Sequence, residues 1–360
     1  MKARSMTRRE VLAGASAALA AHAESGPVRL PKKIRVGMIG FDGHYSEILD
    51  PLPRLPDVDV VAIADSDAGK MASAARHPKL AAVRQYRDYG EMLERESLDL
   101  VAVNNNNGER AAAVLACTDK KLNVIAEKPL AIERGDLEKV RKSVTRNGVK
   151  LSMLLPMRFS PPYLALKRIV DSGEIGEVAQ IGAQKSYKVA GAPEWRKRRA
   201  TYGGTIPWVG IHMVDLMLWT SGRDFKEVAS FQARIGFPEI GDAENSAASL
   251  FRMDNGGAAT LRMDYLRPET APSHGDDRLR LAGTKGIAEY YNTGGVTLVS
   301  SGRKLEEIRE LPAEGSVFVD FLESVYLGKT PALTMAEIWR VNEVVLRARE
   351  AAEQGRVLHI

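Results

Sequence analysis

This sequence has a single cysteine, few aromatic residues and a small net charge. Cys117 is the only cysteine among 360 residues, so an internal disulfide is excluded and the fold must depend on its hydrophobic core. Aromatic residues are 6% of the chain, and the formal net charge is only +5. No apolar run of about 18 residues follows the N-terminus, which argues against a membrane-spanning helix. The 44% hydrophobic and 27% charged content is typical of a globular protein, and the length suggests two domains.

Residues 1–30 are interpreted as an export signal and linker rather than as part of the fold. A twin-arginine pattern spans Thr7 to Leu12, a weakly apolar run continues to Ala21, and small residues at Ala21 and Ala23 form a cleavage site. The alternative is an accidental arginine pair before an alanine-rich helix. Cleavage after Ala23 removes four cations and one acid, so the net charge falls from +5 to +2. We therefore expect export to the periplasm by the twin-arginine pathway, and neither a nucleic-acid nor a membrane partner.

Residues 31–155 alternate short apolar strands with helices. The strand-like runs are Ile34–Ile39, Val58–Ala64, Leu98–Val103, Val124–Ala126 and Val149–Leu155, and the helical segments are Tyr89–Arg95, Glu109–Cys117 and Glu133–Asn147. This alternation is typical of a doubly wound parallel α/β sheet, the Rossmann arrangement that binds dinucleotides. Ligands bind such sheets beyond the carboxyl ends of the strands, so polar residues directly after strands are candidates for contacts.

Three strands of this domain end in such residues. The first strand contains Gly37 and ends in the turn Gly40-Phe41-Asp42-Gly43, where glycine lets the backbone approach a pyrophosphate. Asp42 stands where a glycine is usual, and its carboxylate would repel a pyrophosphate unless it turned away. Asp65 ends the second strand and suits ribose hydroxyls. Asn104, Asn105 and Asn106 follow a later strand, either as a simple turn or as contacts to a cofactor.

The strand Val124–Ala126 stops abruptly at Glu127, Lys128 and Pro129. Pro129 cannot donate a hydrogen bond to a sheet and holds Lys128 in an extended conformation. This strand end therefore places a carboxylate and an amine at the ligand-binding edge. The alternative is an ordinary surface lysine after a strand.

From about residue 156 the pattern changes to strands without intervening helices. The strand-like runs are Val178–Ser186, Glu227–Ile235, Ser246–Arg252, Ala258–Asp264, Leu279–Ala282 and Val296–Val299, and the helical segments are Pro161–Ser172, Trp208–Trp219, Ser316–Leu327 and Met335–Gln354. This pattern predicts a second, α+β domain over residues 156–360, with an open and mostly antiparallel sheet. Its last helices are expected to pack back against the first domain.

The helix Trp208–Trp219 carries His212 and Asp215 on one side, three residues apart. The histidine is either a buried core residue or a catalytic base, and a metal pair is discounted because no third ligand occurs at a readable spacing. The basic segment 194–199 precedes this helix, with Trp195 inside it and Tyr202 nearby. This segment is either a solvated loop or the lip of a pocket where an aromatic ring stacks on a sugar.

These motifs occur together, and in this order, in one family. They are the glycine turn, Asp65, the Glu127-Lys128-Pro129 strand end, and the helix with Gly210, His212 and Asp215. From about Lys32 to the C-terminus the chain resembles the Gfo/Idh/MocA oxidoreductases, the glucose–fructose oxidoreductase and inositol dehydrogenase group. The resemblance implies an N-terminal nicotinamide-dinucleotide domain and a second domain that forms subunit contacts and a sugar-sized pocket. It also implies a Lys128–Pro129 bond that is often cis, and a homodimer or homotetramer.

The roles of the family's residues carry over as expectations. Lys128 resembles the lysine that hydrogen-bonds the reacting hydroxyl, and His212 resembles the histidine that takes its proton, with an ordinary pKa close to the working pH. Asp65 resembles the ribose-binding acid, and because no arginine follows it we expect NAD, with NADP as the alternative. Further cofactor contacts are expected from Glu127 and Lys128. The substrate contacts that the resemblance implies are Arg158, Trp195, Tyr202, Trp208, His212 and Asp215.

Three positions depart from the family's pattern. Trp208 stands where the family commonly has an aspartate, Asp42 interrupts the glycine turn, and Arg110 replaces a histidine. The resemblance implies oxidation of a secondary alcohol on a sugar or cyclitol. The departures leave two alternatives open. One is a redox-neutral, NAD-dependent glycoside hydrolase or lyase that acts through a transient keto sugar, and the other is a non-catalytic sugar-binding module on the same scaffold.

Overall fold

Two β-sheets organise the protein, and the computed structural model describes residues 26–189 and 193–360. The predicted twin-arginine segment lies outside these residues. Within them, every helix is too short or too polar to cross a membrane.

The first domain alternates strands with helices. Its elements are β1 (Ile34–Ile39), α1 (Ser46–Leu49), β2 (Val58–Ala64), α2 (Ala68–Arg76), β3 (Arg84–Tyr86), α3 (Tyr89–Arg95), β4 (Leu100–Val103), α4 (Asn107–Asp119), β5 (Asn123–Ala126), α5 (Arg134–Asn147) and β6 (Leu151–Met153). All six strands are parallel, in the order β3-β2-β1-β4-β5-β6, which confirms the predicted doubly wound sheet. The strand order reverses between β1 and β4, where such sheets bind ligands.

The second domain is built on a nine-stranded sheet. Its elements are α6 (Pro161–Asp171), β7 (Val178–Lys188), α7 (Arg199–Tyr202), a π-helical turn (Ile206–Gly210), α8 (Ile211–Ser221), β8 (Phe225–Ala233), β9 (Ser246–Met253), β10 (Ala258–Arg267), β11 (Gly275–Gly283), β12 (Gly286–Tyr291), β13 (Gly295–Ser300), β14 (Arg303–Glu307), α9 (Val317–Leu327), α10 (Met335–Gln354) and β15 (Leu358–His359). The strand order is β14-β13-β12-β11-β7-β10-β9-β8-β15. The predicted antiparallel character is confirmed, except that β7 and β10 run parallel.

The C-terminal helix α10 joins the two domains. It packs on β8 and α8 and also contacts α5 and β6 of the first domain. The side-chain oxygen of Asn342 on α10 accepts the backbone N–H of Leu130 at 3.0 Å, directly beyond the Glu127-Lys128-Pro129 segment. The helix therefore fixes that segment relative to the second domain, because both partners of this bond are buried.

Candidate active site

The glycine turn after β1 lies directly against the loops that follow β4 and β5. Gly40 and Gly43 have φ angles of +78° and +68°, which favour glycine. A Cβ atom at Gly40 would lie 2.5 Å from the backbone of Asn105, and one at Gly43 would lie 2.6 Å from the carboxyl carbon of Glu127. The turn thus forms a close-fitting cradle at the carboxyl edge of the sheet. Gly37 lies inside β1 and faces the side chain of Leu98, so it allows close packing there. Its expected contact with a cofactor stays a prediction.

The asparagines after β4 divide into two kinds. Asn104 is fully buried. Among the residues that the structure describes, neither its side-chain oxygen nor its nitrogen has a hydrogen-bond partner, and the side-chain oxygen of Asn105 is likewise unpartnered. Buried amides without partners are rare in proteins, so these two are suited to a bound ligand. Asn106 instead caps α4 by accepting the N–H of Glu109 at 3.2 Å, and its predicted contact with a cofactor stays a prediction.

The carboxylate of Asp42 is neutralised within the protein. It accepts hydrogen bonds from Lys70 Nζ at 2.6 Å and from Trp195 Nε1 at 3.0 Å. Trp195 belongs to the second domain, so Asp42 links the two domains beside the glycine turn. Because Lys70 and Trp195 hold this carboxylate, the repulsion expected between Asp42 and a pyrophosphate is largely removed.

Asp65 lies at the end of β2, in the position that was expected for a ribose-binding acid. Its Oδ1 accepts the N–H of Asp67 at 2.9 Å, while its Oδ2 lies 4.0 Å from Lys70 Nζ. Burial raises the pKa of this carboxyl group. A cavity of about 410 Å³ opens nearby, lined by residues that include Phe41, Tyr45 and Lys70. A dinucleotide fits this arrangement, which combines the glycine cradle, the unpartnered amides, Asp65 and the cavity.

Lys128 is buried between the two domains, at the end of β5. Its peptide bond to Pro129 is cis. Its Nζ donates to the backbone oxygen of Trp208 at 2.8 Å and lies 3.3 Å from the centroid of the Trp208 ring. Burial lowers the pKa of this amine from 10.5 to about 7, although the Glu127 carboxylate, 3.8 Å away, opposes the change. Trp208 therefore covers the amine of Lys128, whereas we expected its ring face to stack on a sugar.

Arg110 holds the backbone that carries Lys128. This fully buried guanidinium donates to the carbonyl oxygens of Lys128 at 3.0 Å and Pro129 at 2.9 Å, and to the side-chain oxygen of Asn107 at 2.8 Å. It also donates to the carbonyl oxygen of Asn105. The residue that replaces the family's histidine is thus a brace between the loops after β4 and β5, because charged donors form strong bonds to buried carbonyls.

His212 lies in the first turn of α8 and faces the first domain. It is buried, and its Nδ1 atom has no hydrogen-bond partner within residues 26–189 and 193–360. Burial, followed by the nearby charges of Lys128, His44 and Lys185, lowers the pKa of this imidazole well below its usual value. The structure thus brings His212 and Lys128 into electrostatic contact across the domain boundary. It corrects the expectation that the imidazole keeps its ordinary pKa.

His44 completes this cluster and was missed in the sequence. Its Nδ1 atom lies 3.0 Å from both carboxylate oxygens of Glu127, and its backbone N–H donates to Glu127 Oε2 at 2.9 Å. Its ring meets the ring of His212 edge to face, with centroids 5.1 Å apart. A usable signal existed, because His44 follows Gly43 directly at the carboxyl edge of β1.

Three predicted substrate contacts have other partners in the structure. Arg158 and Asp215 form a buried ion pair with a shortest distance of 2.6 Å, and Arg158 also binds Glu337 at 2.9 Å. Burial raises the pKa of Asp215, while Arg158 opposes the change. The hydroxyl of Tyr202 is buried 3.0 Å from that of Tyr265. These three side chains therefore hold the second domain together, and their predicted contact with substrate stays a prediction.

Comparison with known proteins accounts for both domains. Residues 34–155 match the profile described as "Oxidoreductase family, NAD-binding Rossmann fold", and residues 163–289 match the "GFO/IDH/MocA C-terminal domain". Inositol 2-dehydrogenase of Salmonella typhimurium is 29% identical over 202 residues, which are 56% of this chain and 57% of that protein. Myo-inositol 2-dehydrogenase of Thermotoga maritima is 24% identical over 316 residues, covering 84% of this chain and 91% of that protein.

A solved structure supports the same assignment. A provisionally named oxidoreductase of Thermotoga maritima superposes with a TM-score of 0.85 and 33% sequence identity, covering 91% of this chain and all of that one. Together the two family profiles span well over half of the 360 residues. The chain belongs to the Gfo/Idh/MocA oxidoreductase family.

Proposed function

We propose that this protein is an NAD-dependent oxidoreductase that oxidises a secondary alcohol of a cyclitol or sugar. The observation that carries the proposal is the domain boundary where Lys128 from the first domain donates to the backbone oxygen of Trp208 at 2.8 Å, four residues before His212 in the second domain. This boundary lies beside a cradle that fits a dinucleotide. The names of the relatives, which are inositol dehydrogenases, support a cyclitol. When bound, NAD would supply the acceptor for the hydride that leaves the alcohol carbon.

The protein's own residues would manage the proton of that alcohol. Because the pKa of Lys128 is about 7, a large fraction of this amine is neutral at physiological pH and ready to accept a proton or a hydrogen bond. His212 is unprotonated at the same pH, since burial and the Lys128 charge lower its pKa. Asn104 and Asn105 would offer their free amide groups to the cofactor, and Asp65 would receive ribose hydroxyls.

Two measurements test the proposal. Purified protein is denatured and any released nucleotide is identified, and NADH absorbance is then followed with NAD and a panel of cyclitols and sugars, with Lys128→Ala as the inactive control. We expect NADH formation with at least one polyol and none with the variant. If no dinucleotide binds and no polyol gives NADH, the proposal is wrong. Bound dinucleotide with glycoside cleavage but no net NADH would favour the redox-neutral alternative.

We also propose export by the twin-arginine pathway, supported by the pattern from Thr7 to Leu12. Cell fractionation of the full-length chain should find it in the periplasm, whereas replacement of Arg8 and Arg9 by lysine should retain it in the cytoplasm. Equal periplasmic amounts of both forms would contradict this assignment.

We further propose that the outer face of the second sheet joins two or more copies of the chain. Phe231 on β8 and Leu250 on β9 are 76% and 52% exposed, and their register places them on one face. Exposed apolar side chains that lie together mark association surfaces. Light scattering should show a dimer or tetramer that the Phe231→Asp and Leu250→Lys substitutions dissociate, and a monomeric wild-type protein would refute the proposal.

A further inference from the structure

Three side chains from three separate segments form a row in the candidate active site. Glu127 follows β5, His44 follows the glycine turn, and His212 lies on α8. Glu127 is completely buried, and it contacts Nδ1 of His44 through both carboxylate oxygens at 3.0 Å. The His44 ring also contacts the His212 ring, at a centroid distance of 5.1 Å and an interplanar angle of 80°.

We propose that His44 is a proton-relay residue that moves the substrate's hydroxyl proton from His212 to solvent, with Glu127 as the residue that positions it. This inference rests on the proposed oxidation of an alcohol. It assigns a role to a histidine outside the Lys128–His212 pair.

The burial of His212 is the reason that a relay is needed. An imidazolium at this position would be desolvated and would lie near the positive charge of Lys128, so a proton received there must move on. In the described part of the chain, Nδ1 of His212 has no hydrogen-bond partner that could stabilise the charge. The His44 side chain, in contrast, is 32% exposed and contacts a carboxylate, so it connects the buried imidazole with water.

The contact with Glu127 also determines which nitrogen of His44 can act. Glu127 remains ionised, because His44 and then Lys128 and Arg110 lower its pKa to about 2 despite its burial. A carboxylate only accepts, so the neutral form of His44 carries its hydrogen on Nδ1 and has a free lone pair on Nε2. The other charged groups that act on His44 and His212 are Glu47 on α1, Lys128 after β5 and Lys185 on β7.

The relay then consists of three proton transfers. The substrate O–H bond breaks as an N–H bond forms on His212, and the electron pair of the O–H bond stays on the substrate oxygen. The proton next moves from His212 to the Nε2 lone pair of His44, which becomes an imidazolium. The Nε2–H bond then breaks as the proton passes to water, and neutral His44 is restored. Glu127 accepts the Nδ1–H hydrogen bond throughout and gains no proton.

Two variants of His44 separate a relay from a structural role. His44→Gln keeps a donor for Glu127 but cannot carry a proton, and His44→Ala leaves space for added imidazole. The exposed His359, whose side chain is 87% accessible, gives the control His359→Ala. The measurements are the dissociation constant for NAD, kcat as a function of pH, and rescue of kcat by imidazole.

We expect kcat to fall about 100-fold in both His44 variants, as for other lost acid–base groups, while the dissociation constant for NAD changes less than about threefold. Added imidazole should raise kcat of His44→Ala at least about tenfold. It should leave kcat of His44→Gln and of the control His359→Ala unchanged. Wild-type kcat in His44→Ala, or a loss without rescue by imidazole, would overturn the relay while leaving the proposed function intact.

One measurement is independent of any substrate. Nitrogen-15 NMR of the wild-type protein, recorded across a pH titration, should show that the neutral form of His44 carries its hydrogen on Nδ1. A hydrogen on Nε2 would overturn the relay even if the activity of the enzyme were never detected.

Discussion

Replacement of Lys128 by methionine should stabilise the folded protein, because the structure buries this amine at a cost. Burial lowers the pKa of the amine from 10.5 to about 7. Since one pKa unit corresponds to about 1.4 kcal/mol, the buried ammonium costs on the order of 5 kcal/mol compared with a lysine in water. Removal of the positive charge also deprives Glu127 of one attractive partner, so we expect a net gain of about 1–3 kcal/mol.

The direction of the pKa shift determines how the stability gain of Lys128→Met should change with pH. The folded pKa of Lys128 lies below the unfolded one, so between pH 7 and 10.5 the unfolded chain holds a proton that the folded chain does not. This group therefore makes the wild-type protein more stable as pH rises through that window, and its full cost is present below it. The gain from Lys128→Met should be largest near pH 6 and should shrink toward pH 10.

Urea unfolding followed by circular dichroism measures both effects, and Lys185→Met is the matched control. Lys185 is also buried, but its Nζ lies 2.8 Å from Asp277 Oδ2, and the nearby Tyr187 and Asp277 raise its pKa although burial opposes them. Its contribution is present below the unfolded pKa and is lost as pH rises through the folded pKa. Lys185→Met should therefore destabilise the protein at pH 7. The reasoning is refuted if Lys128→Met has a lower free energy of unfolding than the wild type at pH 7. It is also refuted if the difference in unfolding free energy between the two proteins does not change with pH.

Three further variants test other contacts of the site. Asp215→Asn should lower the free energy of unfolding, measured with urea, by about 3 kcal/mol because it leaves the buried Arg158 without its main partner. Asp215→Leu combined with Arg158→Met should recover most of this lost stability. Asp42→Gly should weaken NAD binding at least about threefold in calorimetry because it removes the bond to Trp195, and tighter binding would mean that the carboxylate does face the phosphates. Asn104→Leu should stabilise the free protein by about 1 kcal/mol and weaken NAD binding, because it removes buried amide groups without partners; unchanged binding would exclude a contact with the cofactor.

Local patterns were enough to predict most of the fold. Buried strands such as β4 and β5 are short apolar runs, and a polar residue follows each of them directly. The exceptions have a physical reason. Strand β3 has three residues that are mostly exposed, and β14 is exposed along its whole length, so neither shows a buried face in the sequence. The parallel pairing of β7 with β10 is a property of topology, which the spacing of apolar residues does not encode.

The candidate site was predictable only in part, because its energetics depend on contacts between distant segments. Lys128 was identified from the strand end that carries it. The bond between Asp42 and Trp195 joins residues 153 positions apart, and the ion pair of Arg158 with Asp215 joins residues 57 apart. Neither pairing has a local signature, so the polar groups involved resembled free ligand contacts in the sequence.

Trp208 determines which protonation state of Lys128 is available. The family commonly has an aspartate at this position, and a carboxylate there would favour the ammonium form and raise the pKa of the lysine. The centroid of the indole ring instead lies 3.3 Å from Nζ of Lys128, where the ring excludes water and supplies no full negative charge. With a pKa of about 7, roughly half of the amine is neutral near pH 7. His212 is unprotonated at the same pH, so both bases of the site can accept a proton, as oxidation of an alcohol requires. Trp208→Asp should therefore return Lys128 to its ammonium form and move the acid limb of kcat to higher pH by at least about one unit. An unmoved limb would show that the indole does not control this titration.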